Sequence, residues 1–371
     1  MIDFLELVIE QKKAKKQLQK ILDSRRVPHA FIFSGQQGVG KFNTAIQFTK
    51  NIYQTFSKEE NSKNLNRIDE LQEPLIKLIM PLPRGKGEQL DDSGFDKLSK
   101  DTLEEIKSEL QKKSKNAFYQ ISIEGANTIK ISSIRDIKKF VSFAEDDNIM
   151  RFIIIIDSEL MNDQAQNALL KNLEEPPNGV FFILLTSQKE KLLPTIVSRC
   201  REISFEPLSY KAVSQILRDQ FGTDNITANK VARFSSGSVT QANMLIGYDF
   251  QAIQQKTISV LRFSFGNKYQ AALNELIDFS KNNPIGSVKL LLRMIKIWLN
   301  DVIRYRESFD DFCFVDDKET IEKFNSKHSK VKLDFLFANL DYLESLINRN
   351  INLNVLFLNL IFELSSVVKR N

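Results

Sequence analysis

The sequence predicts an α/β domain built on a parallel sheet, followed by a small helical domain and a larger all-α domain. Three observations carry this. Short apolar runs alternate with helix-period segments through the first two hundred residues, the rhythm of βαβ units. A glycine-rich segment at 35–41 lies between one such run and the helical pattern after it. Past Pro207 the strand signal ceases and helical periodicity takes over. At roughly 150 residues per domain, the 371 residues of the chain fit this division. The boundaries fall at 1–207, 208–247 and 248–371.

The elements follow in order. Residues 10–26 place Leu18, Ile21 and Leu22 at helical spacing beneath a basic outer face of Lys12, Lys13, Lys15, Lys16 and Lys20. Such a face is either solvated or a phosphate contact for DNA. Residues 30–34 form an apolar run stopped by Gly35, which suits a buried strand. After Lys41, the residues Ala45, Ile46, Phe48 and Ile52 keep a helical period. Residues 55–116 mix lysines and acids around a proline- and glycine-rich centre at 81–87, with a solvated helix at 102–110; the expectation is a partly mobile surface insertion in the first domain. Regular structure returns at 117–121 and as a helix over 131–143. Residues 152–156 are five apolar residues ending at Asp157, the pattern of a central parallel strand buried on both faces. A helix over 163–175 has Asp163 and Gln166 at capping-box spacing and stops at Pro176-Pro177. Residues 180–185 form another apolar strand. Short helices over 208–247 break at Gly222 and at Ser235-Ser236-Gly237; later come an apolar helix at 290–303 around Trp298 and a last one over 355–368.

Composition narrows the function. Hydrophobic residues make up 42% and charged residues 27%, so global disorder is excluded. The two cysteines, Cys200 and Cys313, cannot build a disulfide framework or a paired-cysteine zinc site, and two histidines are too few for a His-rich catalytic metal. The acidic first residues and the lack of any apolar run near the ~20 residues of a membrane span set the expectation of a cytoplasmic protein with no membrane contact. The net charge of +5 permits nucleic-acid contact without requiring it.

Gly35-Gln36-Gln37-Gly38-Val39-Gly40-Lys41 has the spacing of a P-loop, between a strand and a helix. Gly35, Gly38 and Gly40 would let backbone N–H groups turn in around phosphates. The helix N-terminus adds partial positive charge, and Lys41 would reach the β- and γ-phosphates. Asp157 supplies the acid expected at the end of a neighbouring strand. Two hydrolytic oxygens are missing. Phe42 stands where a Ser or Thr hydroxyl would hold Mg²⁺, and Ser158 stands where an ATPase carries its water-activating Glu, with Glu159 one step out of register. ATP or ADP therefore remains possible in a degenerate loop, and hydrolysis is not expected. Thr186 and Ser187 end a strand beside it, where their hydroxyls could cap the next turn.

Three blocks resemble bacterial clamp-loader subunits of the AAA+ ATPases: Pro28-His29-Ala30-Phe31-Ile32-Phe33-Ser34-Gly35 with its P-loop, residues 167–177 (Asn167 to Pro177), and Leu193-Pro194-Thr195-Ile196-Val197-Ser198-Arg199-Cys200. Order and spacing agree over about 1–50 and 115–245, and 348–353 agrees weakly. The resemblance implies a P-loop AAA+ domain, a helical lid over 208–247 and a helical collar over 248–371 that joins a five-membered ring. It implies gamma or tau motor subunits, a delta subunit, the sliding clamp and primed DNA as partners in DNA replication by DNA polymerase III. It gives Arg199 the role of an arginine finger offered in trans to a neighbour's ATP; an Arg at such a place is otherwise a surface ion-pair partner. Cys200 reads as a small buried residue. The resemblance also places a γ-phosphate sensor at Thr186 and Ser187. Thr240 stands where active relatives carry the lid's sensor Arg, and the four zinc-binding cysteines of many relatives are absent. Phe42, Ser158 and Thr240 together point to the non-hydrolysing stator of the ring, the alternative being an ATP-hydrolysing motor subunit.

Overall fold

A computed structural model describes residues 3–57, 62–72, 74–88, 92–142, 150–281, 283–347 and 351–369. Parts of the expected insertion (58–61, 73, 89–91), Phe143 at the end of an expected helix, and the 348–350 part of the C-terminal resemblance lie outside the described residues. The chain divides into two units, Met1–Asn243 and Met244–Asn371.

The first unit runs α1 (Lys12–Asp23), β1 (Ala30–Ser34), α2 (Lys41–Phe56), α3 (Ser62–Asp69), β2 (Ile76–Ile79), α4 (Lys100–Lys115), α5 (Ile131–Ser142), β3 (Arg151–Ile155), α6 (Asp163–Glu174), β4 (Val180–Thr186), α7 (Pro194–Arg199), β5 (Arg201–Ser204), α8 (Tyr210–Phe221), α9 (Asn225–Arg233) and α10 (Val239–Ile246). The five strands form one sheet in the order β2-β3-β4-β1-β5, and every pairing is parallel. Register aligns Ser34 with Thr186 and Ile155 with Leu184. The loops after β1, β3 and β4 therefore leave the same edge. In an open parallel sheet the crevice beyond the strands' carboxyl ends is where ligands bind.

Strand alternation divides the core into two layers. Phe31, Phe33, Phe152, Ile154 and Ile183 pack with Leu18 and Leu22 of α1 and Phe48 and Ile52 of α2. Ala30, Ile32, Ile153, Ile155 and Phe182 pack with Ile134 and Ile137 of α5 and Ala165 and Leu169 of α6. Both faces are covered, as the unbroken apolar runs required. The cap of α6 lies one residue earlier than the capping-box reading: Asn162 accepts from Ala165 N at 2.8 Å, while the Gln166 amide donates to the carbonyls of Met161 and Lys191.

The charged stretch is more than a surface extension. Its Ile76–Ile79 pair with β3 as the sheet's edge strand, with Leu75, Ile76 and Ile79 buried. Lys77 interrupts the short apolar run 75–80 between Pro74 and Pro81, so no unbroken strand pattern stands out. Met80, Leu82, Ile106 and Ile123 form a small core of their own beneath it. Residues 117–121 are irregular backbone rather than regular structure. On α1 the basic face is partly engaged: Lys13 pairs with Glu206 and Lys15 donates to the Val8 carbonyl, while Lys12, Lys16 and Lys20 are exposed.

The second unit is helical: α11 (Phe250–Phe265), α12 (Tyr269–Ser280), α13 (Pro284–Arg306), α14 (Lys318–His328), α15 (Asp334–Ile347) and α16 (Leu353–Lys369). Trp298 of α13 is buried against the rings of Phe265 and Phe324 and donates to Thr320 Oγ1 at 3.2 Å. Asp301, one turn on, accepts from the N–H groups of Cys313 and Phe314 and so holds that segment to α13. Among the described residues no helix is long and apolar enough to cross a membrane.

Candidate functional site

The P-loop bends as its glycines allow. Gly38 (φ +78°) and Gly40 (φ +94°) both adopt left-handed backbone, and Gly40 caps α2. A Cβ at Gly38 would lie 2.6 Å from both Ser238 Oγ and Thr240 N. The closeness has a source. Val239 N donates to the Gly38 carbonyl at 3.0 Å, Ser238 Oγ to the Gln37 carbonyl at 2.7 Å, and Gln36 Nε2 to the Ser236 carbonyl at 2.7 Å. The start of α10 is thus stitched directly onto the loop, and Thr240 joins its wall.

A cavity of about 490 Å³ opens at this edge of the sheet, within the range of ligand pockets. Gly38, Gly40, Lys41, Phe42, Asp157, Glu159, Ser187 and Thr240 line it. Of the expected site residues, Gly35 lies at its base, its N–H bonded to the Thr186 carbonyl. Thr186 itself is turned away: its buried hydroxyl accepts from Gln188 N at 3.1 Å and caps the turn, and Ser187 faces the cavity instead.

Lys41 donates to the carbonyls of Gly35 and Gln36, the latter at 2.7 Å. Burial lowers its pKa to about 8, against the opposing pull of the Asp157 and Glu159 carboxylates. Asp157, in left-handed backbone at φ 49°, has its pKa raised by burial and by Glu159, partly offset by Lys41 and Lys113. Ser158 is buried and donates to the Leu185 carbonyl at 3.1 Å, tying its turn to β4. Glu159 accepts from Ser187 N at 3.0 Å and from Ser187 Oγ at 2.5 Å through Oε1; its Oε2 is buried without a partner.

Phe42 is buried in the core shared by α1 and α2. Above its ring, 4.3 Å from the centroid, sits the Lys113 ammonium. Lys113 was hidden within the charged run 100–115. Its Nζ donates to the carbonyls of Ala117 (2.8 Å) and Tyr119 (2.7 Å), and the side chain is buried. Burial and the nearby Lys41 lower its pKa to about 7, while Asp157 opposes the shift. One turn earlier Glu109 accepts from Tyr119 OH, Ser122 N and Lys112. The two residues bolt the irregular 117–122 loop over the cavity.

The fit to a nucleotide splits in two. The bent loop, Lys41 and the cavity volume suit a phosphate-bearing ligand. A divalent cation does not fit: the position after Lys41 is a buried ring carrying an ammonium, with no hydroxyl. Among the described residues no three His, Cys, Asp or Glu side chains come together to hold a metal.

Arg199 lies outside this cavity. It ends α7, where a cation complements the helix dipole. Its Nη1 donates to the Thr195 carbonyl and its Nη2 pairs with Glu174, both at 2.9 Å, with 36% of the side chain exposed. Cys200 beside it is half-buried, and burial pushes its thiol up to about 12, so it is no nucleophile.

Over residues 10–209 the chain matches the family described as DNA polymerase III, delta subunit. It is 26% identical over 222 residues to DNA polymerase III subunit delta' of Bacillus subtilis (strain 168), covering 59% of this chain and 54% of that protein. It is 32% identical over 164 residues to the subunit delta' of Escherichia coli (strain K12), covering 42% and 48%. DNA polymerase III subunit gamma of Buchnera aphidicola subsp. Acyrthosiphon pisum (strain APS) is 23% identical over 340 residues, covering 87% and 83%. The chain thus spans about half the length of these two delta' relatives.

Proposed function

The chain belongs to the DNA polymerase III delta-subunit family of AAA+ clamp-loader proteins, and on that premise we propose that it is a delta-prime-type stator. It holds a P-loop that does not hydrolyse ATP and offers Arg199 to ATP on an adjacent motor subunit. Residues 208–247 act as its lid and 248–371 as its collar, through which it joins gamma or tau and delta. The assembled ring opens the sliding clamp and loads it at primed DNA.

One observation carries the reading. The hydroxyl that would hold Mg²⁺ is replaced by Phe42, whose ring is covered by the Lys113 ammonium. Two others support it. Ser158 spends its hydroxyl on the Leu185 carbonyl and offers no base for water, and Thr240 puts no guanidinium into the cavity. Arg199 suits a role in trans because it is partly exposed, and besides the Thr195 carbonyl it meets one carboxylate, Glu174, that a phosphate could displace.

The long match to a gamma subunit favours the rival reading of a motor. Mg-ATP turnover by the purified chain, alone and with primed DNA, separates the two. We expect no turnover above that of a Lys41→Ala control. Turnover that Lys41→Ala abolishes would make the chain a motor and remove the inference from Phe42.

A further inference from the structure

The cavity keeps the features that bind phosphate and lacks those that bind its metal. We propose that Lys113 takes the place of the divalent cation in this P-loop cavity, which binds a nucleoside di- or triphosphate without Mg²⁺. This rests on the P-loop reading above but not on the role of Arg199.

Four observations lead there. First, the ammonium is a built feature: two backbone carbonyls and the Phe42 ring hold it, on a buried side chain. A surface lysine that had folded inward would not meet partners so well spaced. Second, it lines the same cavity as Asp157, the strand-end acid, and Lys41, the P-loop lysine. Asp157 is the residue that would otherwise attend the metal, and its carboxylate favours the charged form of Lys113. Third, the same change that removes the metal's hydroxyl supplies the new cation's seat. A Ser or Thr at 42 would give Lys113 no ring to cover, so the two residues work as a pair. Fourth, the cavity retains about 490 Å³ with Lys41 and Lys113 both on its wall, and Glu159 Oε2 is buried there without a donor. A ligand hydroxyl or its ordered water would satisfy that oxygen.

Electrostatics supports the direction. Burial disfavours the charged form of both lysines, and Lys41 adds to this at Lys113. An incoming polyphosphate relieves this and favours protonation of both. The facing acids, Asp157 and Glu159, limit the net positive charge, which selects for a ligand whose phosphates also receive backbone N–H donors from the loop.

The test is calorimetric titration of the full chain with ADP, in excess EDTA and again in excess Mg²⁺. The expected result is binding in both, with dissociation constants agreeing within about threefold. Lys113→Met should weaken binding in EDTA about tenfold or more, the loss of one charge-assisted contact, whereas Lys113→Arg should retain it. Melting curves of both variants establish that they fold. Binding that needs Mg²⁺ would overturn the proposal, as would no binding in either medium, or a Lys113→Met chain that folds and binds like the parent. If Lys113→Met does not fold, a Lys113→Arg chain that binds only with Mg²⁺ would overturn it equally. Such failures would not bear on the role of Arg199, which turnover by the assembled ring tests separately, although binding that needs Mg²⁺ would also remove the inference from Phe42.

Discussion

Arg199→Ala in a reconstituted clamp loader should collapse ATP turnover at the site this arginine serves. A finger supplied in trans is worth roughly 10³–10⁵ in rate at its own site. In the proposed ring other motor sites keep turning over, so steady-state hydrolysis by the whole complex, with clamp and primed DNA, should fall at least about twofold and one site's share of a single-turnover burst should vanish. Arg199→Lys should not restore it, because a point charge cannot reproduce the planar fork. The purified variant should melt like the parent: its pair with Glu174 is at the surface, where such a bridge contributes only about 0–1 kcal/mol. Turnover unchanged within about twofold would reduce Arg199 to a surface ion-pair partner of Glu174 and withdraw its place in trans.

The largest loss of stability should come from Phe33→Ala. Phe33 is fully buried on β1, with ring centroids of Phe205 at 5.2 Å, Phe31 at 6.4 Å and Phe48 at 6.5 Å. Truncation removes the ring's transfer free energy, leaves a void, and strips the aromatic contacts, about 3–5 kcal/mol together. For a unit of this size that lowers the melting temperature by roughly 6–20 °C. Circular dichroism is the measurement to use, since the single tryptophan, Trp298, lies in the second unit and does not report on β1. A loss below about 1 kcal/mol would mean that the layer between sheet and α2 repacks freely. The consequence reaches the site, because β1 delivers Gly35 and α2 begins at Lys41.

The sheet was legible where strands were buried on both faces. β1, β3 and β4 each read as unbroken apolar runs, and their following loops carry Gly35, Asp157 and Ser187. β5 was not legible, since Arg201-Glu202-Ile203-Ser204 has one buried side chain, Ile203, and its place depends on pairing with β1. β2, at the opposite edge, was hidden because Lys77 interrupts its apolar run. Pattern marks burial, and edge strands are only half buried.

The candidate site divides along the same line. Loop spacing, the missing hydroxyl at Phe42, the displaced Glu159 and the setting of Arg199 are all local, because a P-loop is one continuous segment whose chemistry follows residue by residue. Lys113 and the contacts of Ser236, Ser238 and Val239 are not. They reach the loop from positions about seventy and two hundred residues away, and nothing in their neighbours on the chain says so. The amino-acid order by itself determined a loop of P-loop spacing with Phe42 where a metal-holding hydroxyl would stand. Only the tertiary structure decided that Lys113 covers that ring, since a buried ammonium is recognised by the carbonyls and the ring that folding gathers around it, and these come from separate elements.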